Sequence, residues 1–285
     1  MNNTERVKEL YEKGLYVADI ADIMKISPSN VSIYLNKTYG IEKRYRRKPR
    51  EKTYTINESY FEKIDSEDKA YFLGLLYADG CMSTVHDVVQ IALKEEDKYI
   101  LETFSNYIGS NKPLRLIKGG LIKGFKNTKK DYYRKNQYIM IIYSSKLKTQ
   151  LKNLGITTNK TFTLKFPNMI DEMFMNHFIR GYFDGDGGIY GYSKNKWEIS
   201  IAGNKEFNDE LYEYLINKNI RCRVQKHCSL NVYYIRIAGR LNCIDLYNFM
   251  YSDATVFLKR KYNKFLECIN STTSIRNDNT WKKKN

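Results

Sequence analysis

Two stretches, Ala70-Tyr-Phe-Leu-Gly-Leu-Leu-Tyr-Ala-Asp-Gly80 and His177-Phe-Ile-Arg-Gly-Tyr-Phe-Asp-Gly-Asp-Gly187, constrain the chain more than any other feature. Each reads as an apolar helix with small residues four apart and an Asp-Gly pair at its end: Ala70, Gly74 and Ala78 in the first, Gly181 and Gly185 in the second. Glycine costs a helix interior about 1 kcal/mol relative to alanine, so glycines at helical spacing imply close approach of another backbone. Each stretch is the natural partner of the other. Packed through their small faces, they bring Asp79 and Asp186 together at one end. Two carboxylates held close repel each other unless a cation lies between them. So few oxygen ligands suit magnesium, which keeps waters and substrate phosphates in its shell.

Leu73-Gly-Leu-Leu-Tyr-Ala-Asp-Gly80 and Ile179-Arg-Gly-Tyr-Phe-Asp-Gly-Asp-Gly187 resemble the two signature helices of a single-chain LAGLIDADG homing endonuclease. One copy alone says little, because Gly-Asp-Gly is common in turns; two copies in one basic chain say much more. The resemblance covers roughly residues 57–270. It implies a magnesium-dependent, site-specific endodeoxyribonuclease that makes a double-strand break in a long asymmetric duplex and acts as a monomer. It also implies that Asp79 and Asp186 ligate Mg2+ with the backbone carbonyls of Ala78 and Gly185. A lysine from the segment closing each repeat completes each site: Lys160 in the first and Lys261 in the second, with Lys259 as the rival. Ala70, Gly74 and Gly181 form the helix interface. Asp184, whose counterpart is Tyr77, falls outside the metal pair, so a structural or DNA-facing role is expected for it. Such parts suffice for phosphodiester hydrolysis, since metal ions clamp the attacking and leaving oxygens and lysines stabilise developing charge.

Around this centre the chain repeats itself, and the expected class is α+β: two pseudo-symmetric αββαββα repeats, 57–166 and 167–270, forming a DNA-binding saddle. In the first copy a strand at 88–93, a helix at 95–108 (Tyr99, Ile100, Phe104, Tyr107 and Ile108 inward), a strand at 137–143 and a helix at 145–154 follow the signature. In the second, a strand at 197–202, a helix at 204–218, strands near 221–227 and 231–238 and a helix at 240–250 do so. Ile201-Ala-Gly-Asn aligns with Ile91-Ala-Leu-Lys, and Tyr234-Ile-Arg-Ile with Ile139-Met-Ile-Ile. The first copy carries a basic insertion at 109–136 that reads as a ribbon turning at Gly119-Gly120. A two-stranded ribbon fits a major groove, which makes Lys118, Lys123, Lys126, Lys129, Lys130 and Arg134 candidate DNA contacts. Arg221, Arg223 and Arg236 are their candidates in the second copy.

Residues 1–40 read as a helix-turn-helix. Val7, Leu10 and Tyr11, then Val17, Ile20, Ala21 and Met24, repeat at helical spacing. Ser27-Pro28 is a cap followed by proline at the first helical position. A helix entering the major groove presents its N-terminal residues, here Ser29, Asn30 and Ser32. A linker, 41–56, holds Lys43, Arg44, Arg46, Arg47, Lys48 and Arg50, a run suited to phosphates or a minor groove. The polar tail, 271–285, is expected to be disordered.

The formal charge of +16 favours a polyanionic partner. Double-stranded DNA is the first candidate, and the RNA of its own intron the second. No apolar run approaches a membrane span, and the first residues lack the apolar core of a secretory signal. The five cysteines form no paired C-x-x-C, which points to reduced thiols in the cytoplasm of a bacterial or phage-infected cell. Two alternatives stay open on sequence alone: a non-cleaving DNA-binding regulator of the same fold and an RNA maturase. The presence of both motif acids, and a helix-turn-helix placed before the repeats, weigh against the regulator.

Overall fold

The computed structural model describes residues 2–41, 54–123, 131–158 and 160–271. The chain divides into two compact units, Met1–Thr53 and Tyr54–Asn285.

In the first unit, α1 (Asn3–Glu12), α2 (Val17–Met24) and α3 (Pro28–Ile33) enclose a small core of Val7, Leu10, Tyr11, Val17, Ile20, Ala21, Val31 and Leu35. Asn2 and Glu5 close a reciprocal capping box on α1. Ser27 accepts the Asn30 amide at 3.1 Å, and Pro28 opens α3 as its fixed φ allows. Gly14 ends the first helix at φ +92°, where a side chain would be strained. Ser29 and Asn30 are exposed and Ser32 is half-buried. The basic run Lys43–Arg50 lies outside the described residues.

The second unit opens with α4 (Glu67–Asp79), β1 (Gly80–Met82), β2 (Val88–Lys94), α5 (Lys98–Tyr107), β3 (Arg115–Ile117), β4 (Gly120–Ile122), β5 (Tyr132–Arg134), β6 (Gln137–Tyr143), α6 (Ser145–Asn153) and the short α7 (Lys160–Thr163). It continues with α8 (Glu172–Asp186), β7 (Gly187–Ser193), β8 (Lys196–Gly203), α9 (Lys205–Asn217), β9 (Arg223–Lys226), β10 (Tyr233–Ala238), α10 (Arg240–Tyr251) and α11 (Lys259–Asn270). The two antiparallel sheets have matching orders, β1-β2-β6-β3 and β7-β8-β10-β9. Their registers match as well. Gly80 pairs with Ile91 as Gly187 pairs with Ile201, and Ala92 faces Ile139 as Ala202 faces Tyr234. The alignment drawn from sequence is therefore the structural one.

Two details differ from expectation. Gly119 and Gly120 do not turn the chain. The ribbon runs on through them, from β3 paired with β6 into β4 paired with β5. Gly119 instead lets the strands close up, since a methyl there would lie 2.2 Å from the Arg134 carbonyl. In α5, Tyr107 is 46% exposed while Leu101 is fully buried, because the inward stripe runs through Ile100, Leu101 and Phe104.

Helices α4 and α8 cross at the centre of one continuous core shared by both repeats. A methyl on Gly74 would fall 2.1 Å from the Phe178 carbonyl, and one on Gly181 1.9 Å from the Tyr71 carbonyl. No side chain fits at either place. The helices are thus in backbone contact, and Ala70 beside them is fully buried.

A polar network crosses the same interface. Arg180, fully buried in α8, donates to Glu67 of α4 at 2.6 Å, to the Met250 and Val256 carbonyls at 2.7 and 3.0 Å, and lies 2.8 Å from His177 Nδ1. Burial and the Arg180 charge hold the His177 imidazole below its usual range. Glu67 in turn accepts the Thr255 amide and hydroxyl at 2.6 and 2.7 Å and the Val256 amide at 3.2 Å. Asp97 and Tyr99 of the first repeat bind Arg260 and the Phe257 carbonyl. Reciprocally, Asn204 of the second repeat caps α9 and donates to the Leu164 carbonyl at 2.8 Å. Each repeat's strand-to-helix corner therefore clasps the closing segment of the other.

Gly181→Ala is expected to destabilise the second unit by about 3 kcal/mol, because backbone cannot move aside for the methyl. Gly120→Ala, with nothing within 4 Å of the added methyl, leaves stability unchanged. Urea unfolding of the two variants beside wild type distinguishes them. Glu67→Ala strands a buried guanidinium and is expected to cost about 3 kcal/mol, part of which Arg180→Met restores in the double variant.

Candidate active site

Both signature helices deliver their C-terminal ends to one place. The last turns of α4 and α8 touch where a methyl on Gly185 would lie 2.1 Å from the Ala78 Cβ and 3.2 Å from an Asp79 carboxylate oxygen. Asp79 and Asp186, the last residues of their helices, therefore come together at this contact, near enough for each carboxylate to feel the other's charge. A cleft of about 240 Å³ is lined by Ala78, Lys160, Asp186, Asn204 and Asn231 among others. Asp186 borders this cleft, and both carboxyl groups reach solvent, yet protein crowds them on the remaining sides. Burial, and then the Asp79 charge, push Asp186 up to about 6. Burial raises Asp79 as well, against the pull of Lys160 and Lys261. Since each helix C-terminus also carries about half a negative charge, four sources of negative potential converge here in a chain of net charge +16.

Two lysines answer them from opposite sides. Lys160, at the start of α7, donates to the Tyr77 and Leu76 carbonyls at 2.7 and 3.3 Å and to that of Ala78. Lys261, in the first turn of α11 and 5% exposed, donates to the Phe183, Asp184 and Gly187 carbonyls at 2.6, 2.7 and 2.5 Å, and more weakly to that of Gly185 at 3.5 Å. Each ammonium thus satisfies the carbonyls that a helix end leaves without partners. Desolvation lowers both lysines to about 8; Asp186 and Asp79 oppose the shift at Lys160, and Asp184, ahead of Asp79 and Asp186, opposes it at Lys261. Lys259, the rival of Lys261, is exposed and lies over the Tyr99 ring at 4.9 Å, away from the helix end.

The donor set fits a hard divalent cation. Two carboxylates and the adjacent Ala78 and Gly185 carbonyls are all oxygen, and a second lone pair on each carbonyl stays available beside the lysine. The dearth of protein ligands leaves room for water and for phosphate oxygens. Asp184 contributes none: it is 1% exposed, and its carboxylate accepts the Tyr71 hydroxyl at 2.8 Å and the Leu258 amide at 2.7 Å. A DNA-facing role is excluded by that burial. His227, beside Cys228, uses Nδ1 to accept the Ser229 and Leu230 amides, which closes a turn.

The remaining candidates are spread over the sheets and the ribbon. Lys118, Lys123, Arg221 and Arg223 are exposed, while Arg134 is half-buried and donates to the Lys118 carbonyl at 3.3 Å. Arg236 is not a free cation, because Glu198 on the neighbouring strand accepts from it at 2.8 Å. Lys126, Lys129 and Lys130 lie outside the described residues. On the sides of the sheets away from the core, the repeats differ. The first presents Val88, Gln90, Ala92, Lys94, Arg115, Ile141 and Tyr143; the second presents Glu198, Tyr234, Arg236 and Arg223. Sequence reasoning missed Arg180, Glu67 and Asp97. An arginine inside an apolar signature helix was the available signal, since an unpaired charge does not stay buried.

A carboxyl whose folded pKa is raised destabilises the fold once ionised, so the penalty sets in as the pH rises above the ordinary carboxylate value and is complete once it has passed about 6. In EDTA, Asp186→Asn is expected to be more stable than wild type at pH 7.5 by on the order of 1 kcal/mol, after allowance for solvent screening at the cleft mouth. The difference closes as the pH falls towards 4, where both side chains are neutral. Thermal melts at the two pH values check this.

Residues 173–248 match the model of the LAGLIDADG-like domain family. Among solved structures, the chain is similar to the homing endonuclease I-WcaI bound to its DNA recognition sequence, with 15% identity over 73% of this chain and 91% of that one and a TM-score of 0.50. It also matches the LAGLIDADG meganuclease I-AabMI bound to uncleaved DNA (14% identity, 70% and 89% covered, TM-score 0.45) and I-SmaMI bound to cleaved DNA (11%, 71% and 88%, 0.44). Compared by sequence with curated proteins, the chain matches none. The chain carries a LAGLIDADG-like domain, and its two-motif unit has the fold of the LAGLIDADG homing endonucleases.

Proposed function

We propose that the protein is a homing endonuclease that makes a magnesium-dependent double-strand break in a long, asymmetric DNA site. The observation that carries this reading is the convergence of Asp79 and Asp186 at the touching ends of α4 and α8, with Lys160 and Lys261 on either side. A divalent ion bound there would activate water and neutralise the leaving oxygen. The two carboxylates and the Ala78 and Gly185 carbonyls would hold the ion. The lysines supply positive charge beside each scissile phosphate. The relatives' DNA-bound states, the net charge and the basic ribbon support duplex DNA as the partner. Both motifs lie in one chain and the outward faces of their sheets differ in chemistry, Gln90, Lys94, Arg115 and Tyr143 among apolar residues in the first and Glu198, Tyr234, Arg236 and Arg223 in the second. This suits a monomer on a target whose halves differ. The helical unit at the N-terminus and the run Lys43–Arg50 would add affinity through phosphate contacts. Such an enzyme works where DNA is, in the cytoplasm of a bacterial or phage-infected cell.

The test is incubation of the protein with DNA made by joining the sequences that flank its gene. Wild type is expected to give linear product with magnesium and none with EDTA. Asp79→Asn and Asp186→Asn are expected to lose roughly a hundredfold or more in rate while still retarding the DNA in a gel. Tight binding without cutting in any divalent metal would replace this reading with a regulator, and preference for the intron transcript would replace it with a maturase.

A further inference from the structure

Tyr77 and Asp184 occupy the same place in the two signature helices, two residues before each acid. Each is 1% exposed, and each binds its polar group to a segment outside the two signature helices. The Tyr77 hydroxyl donates to the Leu154 carbonyl. The next residue, Gly155, has φ +96°, and a methyl on it would lie 2.4 Å from the Tyr77 oxygen. Only glycine both adopts that backbone and admits the hydroxyl. Asp184 does the converse job with the opposite polarity: its carboxylate accepts the Leu258 amide at 2.7 Å and is steadied by the Tyr71 hydroxyl.

The segments so anchored are the ones that carry the lysines. Leu154 and Gly155 end α6 and lead to Lys160. Leu258 precedes α11, and its carbonyl accepts the Lys261 amide at 3.0 Å, so the Asp184 contact lies one helical turn from Lys261. The two anchorages share no residue except through the α4–α8 interface itself. We propose that Tyr77 and Asp184 are positioning residues, one for each lysine, so that each governs the cutting of one strand of the duplex. This inference rests on the endonuclease reading. It goes beyond that reading in assigning separate, strand-specific roles to two residues that contact neither metal nor DNA.

The experiment uses the full chain and a supercoiled plasmid bearing the target, with each strand end-labelled in a parallel linear substrate. Lys160→Met and Lys261→Met define which strand each lysine serves. Tyr77→Phe, which deletes one oxygen and keeps the ring packing, is expected to slow the Lys160 strand roughly tenfold. The other strand stays within about twofold, so nicked circles accumulate. Asp184→Asn is expected to slow the Lys261 strand in the same way. A merely structural role would slow both strands together or weaken DNA binding in EDTA, and neither is expected. If Asp184→Asn fails to fold, Tyr77→Phe still decides the matter. Equal slowing of both strands, no slowing, or slowing of the strand assigned to the opposite lysine overturns the proposal. So does a pair of lysine variants that each impair both strands alike. Failure of wild type to cut either strand instead overturns the endonuclease reading, which separates the two failures.

Discussion

Backbone contact between α4 and α8 is the constraint on which everything else depends. Gly74 and Gly181 let each helix rest against the other's carbonyls at distances no side chain permits. That approach sets the separation of the helix ends, and with it the spacing of Asp79 and Asp186. The result is electrostatically unfavourable for the carboxylates, since burial and the Asp79 charge push Asp186 up to about 6. A cation between the two carboxylates would relieve that repulsion.

The lysines relate stability to chemistry. Lys160 and Lys261 tie off the last carbonyls of the two signature helices, a structural task that also fixes each ammonium beside the acids. Their own segments are held by the opposite repeat: Glu67, Asp97 and Tyr99 secure 255–260, and Asn204 secures Leu164. The two halves therefore cannot separate without dismantling both candidate sites. Pseudo-symmetry is kept in geometry and relaxed in chemistry. Tyr77 and Asp184 meet the same need with a donor in one repeat and an acceptor in the other.

Much of the fold was legible because periodicity and repetition survive translation into structure. The pairing of Ile91 with Gly80 and of Ile201 with Gly187 follows from two strands whose alternation places the same residue types on the core face. Gly119-Gly120 was misread because glycine signals both a turn and a close approach of strands, and only the partner strand at Arg134 and Lys135 decides which. Tyr107 was misplaced because an aromatic at a helix end can lie against the core edge with its ring in water, here 6.1 Å from Phe72.

The sequence by itself determined the two helices, their small faces, the acids at their ends and the repeat around them, since each is a local pattern imposed by backbone sterics or by side-chain alternation. The tertiary structure alone decided that Lys261 and not Lys259 reaches the second helix end, that Asp184 is a buried acceptor and not a DNA-facing group, and that Arg180 and Glu67 pair across the repeats. Those outcomes depend on contacts between residues far apart in the chain, such as Glu67 with Thr255 and Tyr71 with Asp184. Burial makes each charge find a partner, but nothing local names which one.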